Sequence, residues 1–333
     1  FHTLCCYFFY YFRFMKFLYV FLAAILFSGI YAIAQPPSFK NEFGFRSEND
    51  SYLAYGQDRY YTNGLFIYFR RATDQGRLDK KLNKIIWEAE AGQKMYNAQS
   101  GNVPDISFVD RPFAGYLYLG GNVNFLFYSE NSLKVSLQAG TIGPAAKGKE
   151  AQELLHDIVG FYEINGWQWQ VNNEAALNAS ANYKYFLFRN KTGKLDLGIE
   201  SYVNIGNTFS GAGAGLMFRT GSLNQLFHSA STESTVSHNS RSKDLVDKEF
   251  FFYAKPMLHY IAYDATIEGG LFREDKGPVV FGVKPMVFSQ QAGVIYSKNR
   301  WTADFSLIFK SREVKSMARP HQYGSASLNY RFN

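Results

Sequence analysis

The sequence predicts an all-β chain: a twelve-stranded antiparallel transmembrane β-barrel with a short helix in one outer loop. Three observations predict it. The 333 residues are 18% aromatic, with 32 Phe and 24 Tyr, yet the mean hydropathy is −0.23 and only 19% of residues are charged. A single stretch, 17–34, approaches the ~20 apolar residues that a membrane helix needs. Elsewhere apolar and polar residues alternate with period two, the rhythm of a strand with one apolar face.

The apolar stretch has its own explanation. Met15 and Lys16 precede FLYVFLAAILFSGIY and then AIA before Gln35, a basic start, an apolar run and a small-x-small site in order. This is the pattern of a secretory signal cleaved after Ala34. Residues 1–14 lie upstream of that start and are read as an extension, so 1–34 is set apart and 35–333 is expected to form one outer-membrane barrel domain. Cys5 and Cys6 both fall in the part set aside, which leaves 35–333 without a disulfide, a thiol nucleophile or a Cys-ligated metal. Without Arg13 and Lys16 the net charge falls from +7 to +5. That modest excess, with no basic cluster, argues against a nucleic-acid partner and suits an anionic lipid headgroup.

The strands follow in order. WTADFSLIFK puts Trp301, Ala303, Phe305, Leu307 and Phe309 on one face and Thr302, Asp304, Ser306 and Lys310 on the other. Gly324, Ala326, Leu328, Tyr330 and Phe332 alternate with Tyr323, Ser325, Ser327, Asn329 and Arg331, and the same rhythm runs through Leu133, Val135 and Leu137 and through Leu195, Leu197 and Ile199. Segments of about 10 residues, apolar outward and polar inward, are the signature of an outer-membrane barrel. Twelve are expected, at 40–49, 62–71, 84–96, 113–128, 132–142, 174–189, 193–206, 211–219, 249–263, 285–296, 300–313 and 321–332. Tight turns at Ser129, Arg189 and Ser297 fall on one side, and long connectors at 50–61, 97–112, 143–173 and 314–320 on the other, which should be the outer face. The polar, Ser-rich segment 220–248 is the exception: this register places it in the periplasm, with no evident purpose. A soluble β-sandwich also alternates its strands. The leader, the tyrosine-rich strands and a last strand ending at Phe332 favour the membrane, although Asn333 replaces the aromatic final residue usual in such barrels.

Polar groups gather at the outer rim. ENDSYLAYGQDRYYTNG, 48–64, joins the first two strands and brings Asn49, Asp50 and Thr62 into one neighbourhood. Taken alone, these residues could serve only as a strand cap and a turn. The longest outer connector carries a helix-forming piece, 149–159, with Gln152 and His156 four apart on one face. It lies between Gly-Pro at 143–144 and Gly-Trp at 166–167, in a loop where an active-site wall could be fixed. His228 and His238 are read as solvated residues.

These pieces resemble the outer-membrane lipid A 3′-O-deacylases. The resemblance rests on Asn49-Asp50, DRYYTNG at 58–64, DRPFAGYLY at 110–118, GPAAKGKEAQELLH at 143–156 and GWQWQ at 166–170, all in the family's order. It implies a twelve-stranded barrel that hydrolyses the 3′-linked acyloxyacyl ester of lipid A with calcium as cofactor. The catalytic histidine falls on His156, the polar rim residues on Asn49, Asp50 and Thr62, and Gln152 supports the histidine's helix face. Two positions depart from the pattern: the loop 97–109 has no basic residue, and Tyr162 stands where an acid follows the histidine, with Glu163 adjacent as a substitute.

The residue types suit ester hydrolysis, which needs a base for water and a positive group at the developing oxyanion. A neutral imidazole, with its ordinary pKa of about 6.5, can be the first. Calcium, a hard cation, can be the second, held by the oxygens of Asp50 and Asn49. Zinc is disfavoured by the missing Cys and paired His, and a serine nucleophile by the absence of GxSxG. The expected partners are lipid A or lipopolysaccharide and the surrounding outer-membrane lipid, engaged by a monomer. A calcium-dependent outer-membrane phospholipase and a passive pore are the alternatives.

Overall fold

The computed structural model describes residues 38–53, 58–238 and 245–333. The expected signal segment, Cys5 and Cys6 lie outside the described residues, as does 54–57 of the rim stretch. Twelve strands form one closed antiparallel barrel in which each neighbours the next and β1 (Asn41–Asn49) pairs with β12 (His321–Phe332). Between them run β2 (Tyr61–Ala72), β3 (Leu82–Tyr96), β4 (Ala114–Phe127), β5 (Ser132–Ile142), β6 (Glu174–Arg189), β7 (Leu195–Gly206), β8 (Phe209–Ser222), β9 (Lys248–Asp264), β10 (Met286–Lys298) and β11 (Trp301–Lys310). Helix α1 (Gly148–Val159) lies between β5 and β6, and a short helix α2 (Ala265–Glu268) follows β9. No helix among the described residues is long and apolar enough to cross a membrane.

Alternation sorts the side chains. Phe43, Phe45, Ile67, Leu119, Leu137, Phe252 and Leu307 are exposed around the outer wall. Buried polar side chains fill the lumen, where Arg70 reaches Glu42 at 2.8 Å and Lys134 reaches Glu88 at 3.0 Å. Rings cluster at the end where the chain closes: Trp301 lies 4.8 Å from Tyr330 and Phe69 lies 5.4 Å from Trp87, as in the aromatic girdle of a membrane barrel.

Element bounds differ from expectation where the apolar signal is weak. β8 extends beyond 211–219 because its Gly/Ala-rich backbone pairs regardless of side chains, and β11 stops at Lys310 rather than 313. The segment joining β8 to β9 lies on the periplasmic side, as its register requires, but it is not an idle loop. Its residues 223–238 fold back into the barrel mouth as a plug. Glu233, at φ 57°, inserts between Arg70 at 3.2 Å and Lys134 at 2.6 Å, and Lys84 Nζ donates to the carbonyls of Ser234 and Val236 at 3.0 Å each. Arg219 donates to Ser229 at 2.6 Å and is paired with Asp196. Lumen cations that burial would otherwise penalise are thereby matched by plug oxygens. A cavity of about 290 Å³ remains above the plug.

Candidate active site

The rim polar residues face the membrane side of the wall, not the lumen. Asn49 continues the outward row of Phe43 and Phe45 on β1, and it pairs with Asn63, which continues the outward row of Ile67 and Leu65 on β2. The Asn49 amide donates to the Asn63 side-chain oxygen, and Asn49 Oδ1 accepts from the Ser51 N–H at 2.6 Å. Thr62 sits at an irregularity in the β2–β3 ladder, between pairs Tyr61↔Tyr96 and Asn63↔Met95. Such a bulge re-aims a side chain. Tyr61 keeps to the lumen, with its hydroxyl on Glu48, while the Thr62 hydroxyl lies 3.1 Å from Asp50 Oδ1 and 3.0 Å from Asp58 Oδ1.

Tyr60 fixes the start of this strand in a left-handed conformation, φ 57°, uncommon for a bulky residue. Its hydroxyl donates to Asp110 at 2.7 Å and accepts from the Arg319 N–H at 2.8 Å, and its backbone pairs with Ala98 and Asn97. Asp110, the first residue of DRPFAGYLY, thus holds the turn carrying Asp58.

Helix α1 closes the site from outside. Its first residue, Gly148, approaches Gly115 on the outward face of β4 so tightly that a Cβ on Gly148 would lie 3.1 Å from Gly115 Cα. Gln93 on the outward face of β3 donates to the carbonyls of Ala146 and Lys147. Gln152 and His156 are both buried, as their shared face requires. Gln152 Oε1 accepts from Trp167 Nε1 at 3.0 Å, which ties the helix to the GWQWQ segment. His156 reaches the rim: Nδ1 lies 2.7 Å from the Tyr162 carbonyl and Nε2 3.3 Å from Asp58.

The structure therefore gathers Asn49, Asp50, Thr62 and His156, with Gln152 behind them, and adds Asp58, Asn63 and Tyr162. Asp58 opens the DRYYTNG motif, but nothing in local spacing links it to a histidine 98 residues away, so the sequence alone does not mark it as a site residue. Tyr162, at the position of the expected acid, donates its hydroxyl to Asp58. Glu163 does not substitute for that acid: its side chain is exposed and makes no hydrogen bond or ion pair among the described residues. The loop without a basic residue contributes Asn97, fully buried beside Asp58 and Tyr162 around Gly101, with both side-chain polar atoms unpartnered.

Electrostatics divides the two aspartates. Burial alone would raise Asp58, but the hydrogen bond and charge of His156, with the Tyr162 and Thr62 hydroxyls, hold it below the ordinary carboxylate range. Burial would likewise lower His156, yet Asp58 and the Tyr162 carbonyl leave it above its ordinary value. Asp50 behaves in the opposite way. Burial first, then the neighbouring Asp58 charge, push it well up, against the Arg59 N–H at 2.6 Å and the Thr62 hydroxyl. One hydroxyl proton cannot serve both aspartates at once, so Asp50 lacks the compensation that His156 gives Asp58. Asp50 and the Thr62 hydroxyl present oxygen donors of the kind a hard cation takes, although no cluster of three or more His, Cys, Asp or Glu side chains able to hold a metal occurs among the described residues.

The family described as outer membrane protein LpxR matches residues 19–332 of the chain. Among solved structures, LpxR from Salmonella typhimurium matches with a TM-score of 0.69 and 18% identity, covering 87% of this chain and 100% of that one, a likeness of fold. The β domain of the Bordetella autotransporter BrkA matches at a TM-score of 0.48 and 11% identity, over 89% of this chain and 100% of that one. No curated protein matches.

Proposed function

The chain belongs to the outer membrane protein LpxR family, and from that premise we propose that it is a hydrolase removing the 3′-linked acyloxyacyl group of lipid A at the outer leaflet, with calcium as cofactor. One observation carries this reading: the His156–Asp58 pair and the Asn49, Asp50 and Thr62 oxygens are gathered at the outer rim beneath helix α1, on the side of the wall that carries the outward row of β1 and β2, rather than in the lumen.

His156 supplies the base. With Nδ1–H donated to the Tyr162 carbonyl, the Nε2 lone pair of the neutral ring takes the proton of an attacking water. Water oxygen bonds to the ester carbonyl carbon, the C–O bond to the sugar breaks, and the imidazolium returns its proton to the departing alkoxide. Asp58 stabilises the imidazolium in between, and Tyr162 and Thr62 hold Asp58 in place. Asp50, with Asn49 and the Thr62 hydroxyl, would hold calcium, which supplies positive charge where the carbonyl oxygen becomes an anion. Direct attack by water needs no serine nucleophile.

Incubating the purified barrel separately with lipid A and with phospholipid, and weighing the products, tests the reading. Loss of a 3′ acyloxyacyl group from lipid A is expected. Release of fatty acid from phospholipid alone would instead make the protein a phospholipase. The plugged lumen gives no support to a passive pore.

A further inference from the structure

Helix α1 spends its buried face on the barrel wall and the site, yet leaves a second apolar stripe outside. Leu154 and Ile158, four apart, are 59% and 68% exposed, and Phe161, just past the helix end, is part-exposed with its ring edge-on to His156. The other flank is charged, with Lys149 and Glu153 3.7 Å apart. The wall beneath is membrane-facing. Gly148 rests on Gly115, and the next outward residues of the same strand, Leu117 and Leu119, are exposed in the hydrocarbon-facing belt. At about 3.4 Å per strand residue, that belt begins only ~7 Å from the helix contact. Interfacial helices sink an apolar flank by about 5–10 Å into the acyl boundary, so the two depths coincide.

We propose that α1 is an interfacial helix whose Leu154–Ile158 flank, with Phe161, docks among the acyl chains of the leaflet surrounding the barrel. The exposed stripe is continuous with a lipid contact that the barrel already makes, whereas the charged flank turns to water. A helix seated this way holds His156 near the boundary where acyl esters lie; that consequence rests on the deacylase reading, while the seating itself does not.

The test places spin labels at Leu154→Cys and Ile158→Cys, one per protein, in the full chain with Cys5→Ser and Cys6→Ser. Leu117→Cys serves as the lipid reference and Glu153→Cys as the water reference. The protein is reconstituted in phosphatidylcholine vesicles free of lipid A, with heat-modifiability on a cold gel confirming assembly. Labels at 154 and 158 should favour oxygen over a water-soluble nickel complex, as the label at 117 does, while the label at 153 favours nickel. Labels at 154 and 158 that behave like 153 would overturn the proposal. So would oxygen preference appearing only after lipid A is added, which would make the stripe a seat for substrate, or broadening that grows with protein density, which would make it a contact between copies. Deacylation is not read in any arm, so failure here leaves the proposed activity standing and the reverse also holds.

Discussion

His156 and Asp58 meet 98 residues apart in sequence, with Nε2 3.3 Å from the carboxylate while Nδ1 is committed to the Tyr162 carbonyl. With both ring nitrogens facing acceptors, the surroundings favour the charged form of the pair, a histidine raised and an aspartate lowered from their ordinary pKa values. Only the neutral ring can act as the base.

Replacing the base gives the first prediction. His156→Ala should lower the deacylation rate about 10²- to 10⁴-fold, the usual contribution of a general base. Lipid A mass spectrometry on a variant that still migrates as a folded barrel measures it. An undiminished rate removes His156 from the mechanism.

The second prediction concerns pH. A raised histidine pKa puts the acid limb of the rate profile above about 6.5, since only the neutral ring accepts a proton. Asp58→Asn removes the group that raises it, and burial then pulls the pKa down. The acid limb should move to lower pH while the maximum rate falls, because the imidazolium formed in the transition state loses its partner. A rate–pH profile of both proteins decides; an unmoved limb would show that Asp58 does not govern His156.

The third prediction concerns the cation. A chelator should abolish activity and calcium should restore it. Asp50→Asn, which leaves shape but removes charge, should raise the calcium concentration required. Restoration by zinc in preference to calcium would point to a different donor set.

Much of this was readable beforehand because a membrane barrel writes itself with period two. β1, β5, β6 and β12 fall within a residue of expectation. β8 did not, since FSGAGAG carries no apolar alternation to mark where pairing begins. The helix face of Gln152 and His156 was legible from spacing four. Asp58 was not, because its partner is distant and the bulge that turns Thr62 toward it depends on pairing with β3. The plug was illegible for a similar reason: its Ser-rich segment has meaning only against Lys84, Arg70 and Lys134 projecting from three other strands.

That plug yields the fourth prediction. Glu233→Ala leaves Arg70 and Lys134 sharing Glu88 on the barrel wall but removes the carboxylate by which both hold the β8–β9 segment, which should loosen the plug. In planar bilayers the wild type should pass little current and the variant measurably more. Equal currents would mean that other contacts, such as Lys84 to the plug carbonyls, hold the segment without Glu233.

The last prediction separates folding from chemistry. Asn49, Asp50 and His156 lie at the rim, whereas the ladder and the outward apolar rows hold the barrel. The triple alanine variant should therefore assemble, shown by heat-modifiability on a cold gel, and be inactive on lipid A. Leu307 is different. It lies in the outer half of β11, exposed on the outer wall and paired with Ala292 and Gly324. Leu307→Arg places an ionised group against lipid, at a cost that reaches about 2–4 kcal/mol at the midplane and falls toward the interface. Assembly should fall although no site residue has changed, and the fraction that does assemble should deacylate at the wild-type rate. Normal assembly of Leu307→Arg beside failure of the triple variant would reverse the roles given to rim and wall.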